Sequence, residues 1–190
     1  PAPLPAENSF TPADAGEVID DSSDTVPDTL TGTAQDDILL GGDGGDTING
    51  GDGNNYIDGG SGDDTIGASG IGYNILLGGA GHDCVSGGDG NDILNGLGGN
   101  DVLTGGGGDD VFSFAAASGH DVITDFMPAA AGGHDRLDVR ALGVTAANFS
   151  TKVAISAAPD GSALITIGSS TMNLQDVAPS GLAIADFRLG

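Results

Sequence analysis

Between residues 32 and 113 an apolar side chain recurs every nine residues. The series runs Leu39, Ile48, Ile57, Ile66, Leu76, Val85, Leu94, Leu103 and Phe112, and its interval widens once, by the single residue Ala68. Three residues centred on each apolar position predict a very short strand, with the apolar residue facing inward and its two neighbours outward. The six residues before each strand are rich in Gly, Asp and Asn and predict a turn, because Gly reaches positive φ without steric cost. The units begin at Gly32, Gly41, Gly50, Gly59, Ser69, Gly78, Gly87, Gly96 and Gly105. Position 8 is the apolar one. Position 6 is Asp37, Asp46, Asp64, Asp83, Asp92, Asp101 and Asp110, with Asn55 and Asn74 in the remaining two units. A Gly/Asp-rich disordered tract would not keep position 8 apolar in every unit.

One buried aliphatic per unit is too small a core to offset the entropy of ordering nine residues. The turns themselves must supply what is missing. Each offers a carboxylate or carboxamide at position 6 and the carbonyls of its glycines: Gly42, Gly44, Gly60, Gly62, Gly79, Gly81, Gly88, Gly90, Gly99, Gly106 and Gly108. An all-oxygen set of hard ligands suits Ca²⁺ rather than Zn²⁺, so several calcium ions are expected along the repeats.

Gly41-Gly42-Asp43-Gly44-Gly45-Asp46-Thr47-Ile48-Asn49 and Gly87-Gly88-Asp89-Gly90-Asn91-Asp92-Ile93-Leu94-Asn95 fit the pattern G-G-x-G-x-D-x-apolar-x at every fixed position. The pattern closely resembles the repeats-in-toxin (RTX) family of calcium-binding nonapeptides. That resemblance implies an all-β fold, a right-handed parallel β-roll in which two repeats make one coil, with calcium shared between repeat n and repeat n + 2. One edge would then carry Asp37, Asn55, Asn74, Asp92 and Asp110, and the other Asp46, Asp64, Asp83, Asp101 and Asp121.

Charge sharpens this picture. Lys+Arg is 4 against 28 Asp+Glu, a formal net charge of −24. Such a chain cannot grip nucleic acid by neutralising phosphates, and it repels itself unless cations intervene. No apolar run approaches a membrane span. A single cysteine, Cys84, excludes an intrachain disulfide framework and a CxxC zinc site.

The flanks read differently. Residues 1–31 are acidic, carry five prolines and no base, and are expected to form a disordered linker; they lack the basic and apolar regions of a signal peptide. After the strict repeats, two degenerate units place Asp121 and Asp135 at position 6, with Ile123 and Leu137 at position 8. Residues 114–190 are expected to cap the open end of the roll with strands and most of the phenylalanines. Ala163-Leu164-Ile165-Thr166-Ile167 and Thr171-Met172-Asn173-Leu174, around Gly168-Ser169-Ser170, predict a hairpin. The stretches Asp121–Phe126, Asp135–Val139 and Leu174–Phe187 resemble the C-terminal domain of RTX proteins exported by type I secretion. Secretion to the extracellular side, with the type I apparatus as a partner, is what that resemblance implies.

All three histidines occur as Gly-His-Asp, at His82, His120 and His134. A zinc triad is one reading. Position 5 of a turn, where other units carry Asn or Asp, is the preferred one. No HExxH or GxSxG occurs, so the chain is expected to be non-catalytic, although a catalytic domain could precede it in a longer parent. The expected function is that of a calcium-binding module of an exported protein, folding on Ca²⁺ outside the cell. The alternative is a carbohydrate-binding accessory module for an alginate-type acidic polysaccharide. Residues 135–143 resemble the R-modules of mannuronan C5-epimerases, and Arg136, Arg140 and Lys152 could meet a polyuronate.

Overall fold

Burial alternates along the short strands of the strict repeats as the nine-residue pattern requires. In Thr47–Asn49 and Thr65–Gly67 the isoleucine is buried, and both threonines face outward. The computed structural model describes residues 9–10, 18–20 and 25–190. In it the strands coil into a parallel β-roll.

One sheet contains β1 (Ser9–Phe10), β3 (Thr29–Thr31), β5 (Thr47–Asn49), β7 (Thr65–Gly67), β9 (Cys84–Gly88), β11 (Val102–Gly106) and β13 (His120–Ile123). The facing sheet contains β2 (Val18–Asp20), β4 (Ile38–Asp43), β6 (Tyr56–Ser61), β8 (Ile75–Gly81), β10 (Ile93–Gly99), β12 (Val111–Ser113) and β14 (Arg136–Asp138). Successive strands alternate between the sheets, so a strand pairs with the one two further on, and every pairing within the coils is parallel.

The register stacks position 8 upon position 8. Leu30, Ile48, Ile66, Val85, Leu103 and Ile123 form one column. Ile19, Leu39, Ile57, Leu76, Leu94, Phe112 and Leu137 form the other. All are buried, and together they line the interior of the roll. Burying one such side chain contributes about 1.5–3 kcal/mol, and the columns repeat that contribution at each coil.

The ladder begins before Gly32. Thr29-Leu30-Thr31 pairs with Thr47-Ile48-Asn49, and Leu30 is buried. Asp28-Thr29-Leu30-Thr31 is thus the end of a further unit, in register with Asp46-Thr47-Ile48-Asn49. Val18–Asp20 pairs with Ile38-Leu39-Leu40 in the same way. These strands fall inside the stretch expected to be a linker up to residue 31; most of the rest of that stretch lies outside the described residues.

The ladder also runs past Ser113, through both degenerate units. The first sheet then changes character. β17 (Ser170–Leu174) pairs parallel with β13, and β16 (Ala163–Ile167) and β15 (Val153–Ala157) follow as an antiparallel meander. The hairpin turns at Gly168-Ser169, where Gly168 has φ +64°. β18 (Phe187–Arg188) completes the second sheet against β14. Phe126 packs on Phe112 with ring centroids 6.0 Å apart, and Phe149 meets Phe187 edge-on at 4.8 Å. The only α-helix among the described residues is the single turn α1 (Phe149–Lys152).

Ala68 leaves the register intact. Asp64 and Asp83 are 19 residues apart where 18 is the rule, yet Ile66 still pairs with Val85. The amides of Ala68 and Ser69 bond Ser86 O and Gly51 O at 3.0 and 2.9 Å, so the extra residue is taken up in the turn.

Candidate metal centre

The position 6 residues lie at the junction of turn and strand and stack in two rows, one on each edge of the roll. Each row is a hydrogen-bonded ladder. On one edge the amides of Asp46, Asp64, Asp83 and Asp101 donate to Oδ1 of Asp64, Asp83, Asp101 and Asp121, at 2.7, 2.9, 3.0 and 3.1 Å. On the other, the amides of Asp37, Asn55, Asn74, Asp92 and Asp110 donate to Oδ1 of Asn55, Asn74, Asp92, Asp110 and Asp135, at 3.0, 2.9, 2.8, 2.8 and 2.9 Å. The two rows expected from alternation are therefore the two rows found.

A second ladder runs in the opposite sense. Position 5 side chains accept from the position 5 amide of the following coil. Asp63 Oδ1 accepts from His82 N, His82 Nδ1 from Asn100 N, and Asn100 Oδ1 from His120 N, at 2.7, 3.0 and 2.9 Å. This is why His, Asn and Asp interchange at position 5: each offers an acceptor. His82 thus serves as a turn residue, whereas His120 opens β13, ends this ladder through its amide, and has Nδ1 2.7 Å from Thr171 Oγ1. Among the described residues no three His, Cys, Asp or Glu side chains converge on one point.

With Oδ1 committed to the ladder, the second carboxylate oxygen is left over. Oδ2 of Asp64, Asp83, Asp92 and Asp101 is buried and accepts no hydrogen bond. It lies over the first glycine of its own turn: a Cβ on Gly59, Gly78, Gly87 or Gly96 would fall against it. The same Cβ positions on Gly59, Gly78 and Gly87 also meet the carbonyl oxygens of Gly78, Gly96 and Gly105, the first glycines of the next coil. The glycines expected to offer carbonyls stack coil upon coil: Gly42, Gly44, Gly60, Gly62, Gly79, Gly81 and Gly99 on the Asp46 edge, and Gly88, Gly90, Gly106 and Gly108 on the Asp37 edge. The packing is close. Gly62 has φ +130°, and a Cβ there would land on the carbonyl oxygen of Gly44.

Buried carboxylates without donors are costly when charged. Burial is the main cause that pushes Asp64, Asp83 and Asp92 up to about 6, from an ordinary 3.8, and neighbouring carboxylates add to it at Asp64 and Asp83. Burial likewise pushes Asp110 and Asp121 up to about 7, again with like charges beside them. Asp101 and Asp135 are raised by the same cause. A cation of hard character reverses this penalty, and the donors on offer are carboxylate and carbonyl oxygens alone. The residues fit calcium.

Besides the two asparagines, three acids depart from a uniform array. Asp135 has both oxygens engaged, Oδ1 by Asp110 N and Oδ2 by Met127 N at 2.7 Å, so it closes its row with amides. Asp28 extends the Asp46 row at the other end, its amide donating to Asp46 Oδ1 at 2.8 Å. Its tetrapeptide was a legible signal; the lack of glycines before it hid the unit. Asp125, also unexpected, accepts from the successive amides of Gly105 and Gly106 at 2.9 and 2.7 Å and ties that turn to the coil beyond.

Residues 31–66, 68–94 and 86–123 match the family model of the RTX calcium-binding nonapeptide repeat, in 4 copies. The nine-residue units are similar to RTX repeats. Among solved structures, the chain is similar to the AlgE6R3 subunit of the mannuronan C5-epimerase from Azotobacter vinelandii, at 29% identity and a TM-score of 0.53, over 66% of this chain and 78% of that one. The AlgE6R2 subunit of the same enzyme matches at 27% identity over 90% of this chain and 96% of that one, with a TM-score of 0.38. No curated protein matches the chain. The matched turns include those whose position 6 side chains form most of the two rows, and the matched segments end at Ile123, in the last strand of the first column before the cap.

Proposed function

We propose that the chain is a calcium-binding RTX module of an exported protein, which orders on meeting Ca²⁺ outside the cell and has no catalytic role. The observation that carries this reading is the set of buried Asp Oδ2 atoms without donors, at Asp64, Asp83 and Asp101 on one edge and at Asp92 on the other. Each would meet the ion together with glycine carbonyls of its edge. Without metal, these carboxylates repel in a chain of net charge −24. With metal, binding free energy becomes folding free energy. Extracellular calcium modules work at about 10⁻⁴–10⁻³ M, so the chain would stay loose in a low-calcium cytoplasm and fold after export. The type I secretion apparatus is the partner this reading expects.

Circular dichroism in chelator and in millimolar Ca²⁺ tests it. The expected result is a weakly structured chain that becomes β-rich with calcium, with Mg²⁺ a poor substitute because it demands tight octahedral geometry. Identical spectra in both conditions would overturn the reading.

A second reading, binding of an acidic polysaccharide, is favoured by the similarity to an epimerase R-module subunit. Its cations are partly committed: Arg140 pairs with Asp138 at 2.6 Å, and Lys152 Nζ bonds Leu142 O and Gly143 O at 3.1 and 3.0 Å. Titration of the calcium-loaded chain with alginate oligomers distinguishes the two. Saturable binding, lost on Arg136→Ala with Lys152→Ala, would favour the polysaccharide.

A further inference from the structure

The Asp37 edge contains two position 6 residues that carry a donor where the others carry an oxygen. Asn74 Nδ2 donates to Asp92 Oδ1 at 3.0 Å and to the carbonyls of Gly72 and Gly87, both at 3.3 Å. Asn55 Nδ2 donates to Asp52 O at 3.2 Å and to Gly53 O at 3.5 Å. Asn55 is 2% and Asn74 0% exposed. The same atom position in the turns of Asp64, Asp83, Asp92 and Asp101 is a buried oxygen that nothing donates to. Two adjacent coils of one edge are therefore satisfied by the chain's own hydrogen atoms, while the opposite edge has carboxylates throughout.

We infer that Asn55 and Asn74 are built-in substitutes for the cation, locking the middle of the Asp37 edge without metal and keeping an ion out from between them. The exclusion has two physical parts. The carboxamide hydrogens carry partial positive charge into the space where a cation would sit. The turn carbonyls they engage are also withdrawn from use as ligands, and calcium affinity falls with the charge of its ligand set. The roll then holds ions unequally: an unbroken row through Asp46, Asp64, Asp83 and Asp101, and an interrupted one on the other edge. This inference rests on the calcium reading for its ion count, but not for the lock itself.

The test is calcium titration of the full chain by calorimetry, with circular dichroism on the same samples, for the wild type, N55D/N74D and D83N. N55D/N74D should bind about one ion more than the wild type, and D83N about one fewer. A calcium-folded N55D/N74D with the wild-type count would overturn the inference. So would D83N keeping the full count, and D83N decides alone if the double variant does not fold. A wild type that binds no calcium would instead sink the functional reading. Hydrogen exchange in chelator then still tests the lock. The amides of Asp37 and Asn55, in coils whose asparagines are fully paired, should exchange more slowly than those of Asp64 and Asp83, in coils that carry unpaired buried carboxylates, by a factor of roughly ten. Equal exchange would overturn it.

Discussion

The amide of Asp64 donates to Oδ1 of Asp83 at 2.9 Å, one coil further along, while Oδ2 of Asp83 is buried beside it with no donor. One carboxylate thus performs two separable tasks. Its first oxygen ties one coil to the next in the folded chain. Its second is stable only when something positive reaches it.

That separation can be tested at Asp64, whose Oδ1 accepts from Asp46 N. Asp64→Asn keeps an acceptor for the amide and removes only the charge. Asp64→Ala removes both and leaves a buried donor unpaired, which costs about 1–3 kcal/mol. In calcium, Asp64→Ala should therefore be less stable than Asp64→Asn by about that amount, read from denaturant unfolding. Equal stabilities would mean that the ladder bond contributes nothing.

The dependence on pH should invert with metal. Folded-state values near 6 for Asp64, Asp83 and Asp92, and near 7 for Asp110 and Asp121, lie above the ordinary 3.8. The folded, metal-free chain thus binds protons more tightly than the unfolded chain. The stability this contributes is fully present below about 3.8 and is lost as pH rises through about 6 to 7. In chelator, β structure should increase as pH falls from about 8 to 5. In calcium, the same fall should raise the concentration needed for folding, because protons compete for the oxygens that hold the ion. A calcium midpoint independent of pH would contradict this.

Two glycines should respond oppositely to alanine. At Gly62 the added Cβ collides with Gly44 O, and φ is +130°. Gly62→Ala should cost about 2 kcal/mol or more, since strained backbone and overlap combine. Gly67 has open space around its missing Cβ and no positive φ. Gly67→Ala should be neutral or stabilising by about 0.4–1 kcal/mol. Thermal unfolding in saturating calcium checks both.

Deleting residues 139–190 should raise the calcium needed to fold the remaining coils and broaden the transition. The deletion removes β17 from β13 and β18 from β14, opening an edge on both sheets at once. It also takes Phe187 from above Leu137. An unchanged midpoint and slope in the truncated chain would mean that the C-terminal strands do not stabilise the roll.

Much of this architecture could be read from the chain because its causes are local and repeated. Leu39 to Phe112 gave both core columns, since a nine-residue unit with one inward residue can stack in only one register. The division of position 6 between two edges followed from alternation. The hairpin around Gly168 was legible from its flanking strands. Other features were not. Asp28 is preceded by Val26 and Pro27 instead of glycines, so its unit lacked the turn signal while keeping the strand. The double engagement of Asp135 depends on Met127, which is brought back by a loop whose path has no periodic pattern. The pairing of Leu137 with Phe187 joins residues separated by an entire meander. The position 5 ladder was hidden for another reason: His, Asn and Asp look unrelated until their shared acceptor role is seen.

The single residue taken up at Ala68 bears on how such a chain can change its length. Equivalent acids on neighbouring coils are 18 residues apart at Asp46 and Asp64, 19 at Asp64 and Asp83, 20 at Asp101 and Asp121, and 25 at Asp110 and Asp135. The strands stay in step throughout. Insertions in the turns are thus absorbed where they arise and are not passed to the next coil as a shift of phase. A roll built this way can gain or lose residues at its edges over generations while its interior goes on being read correctly.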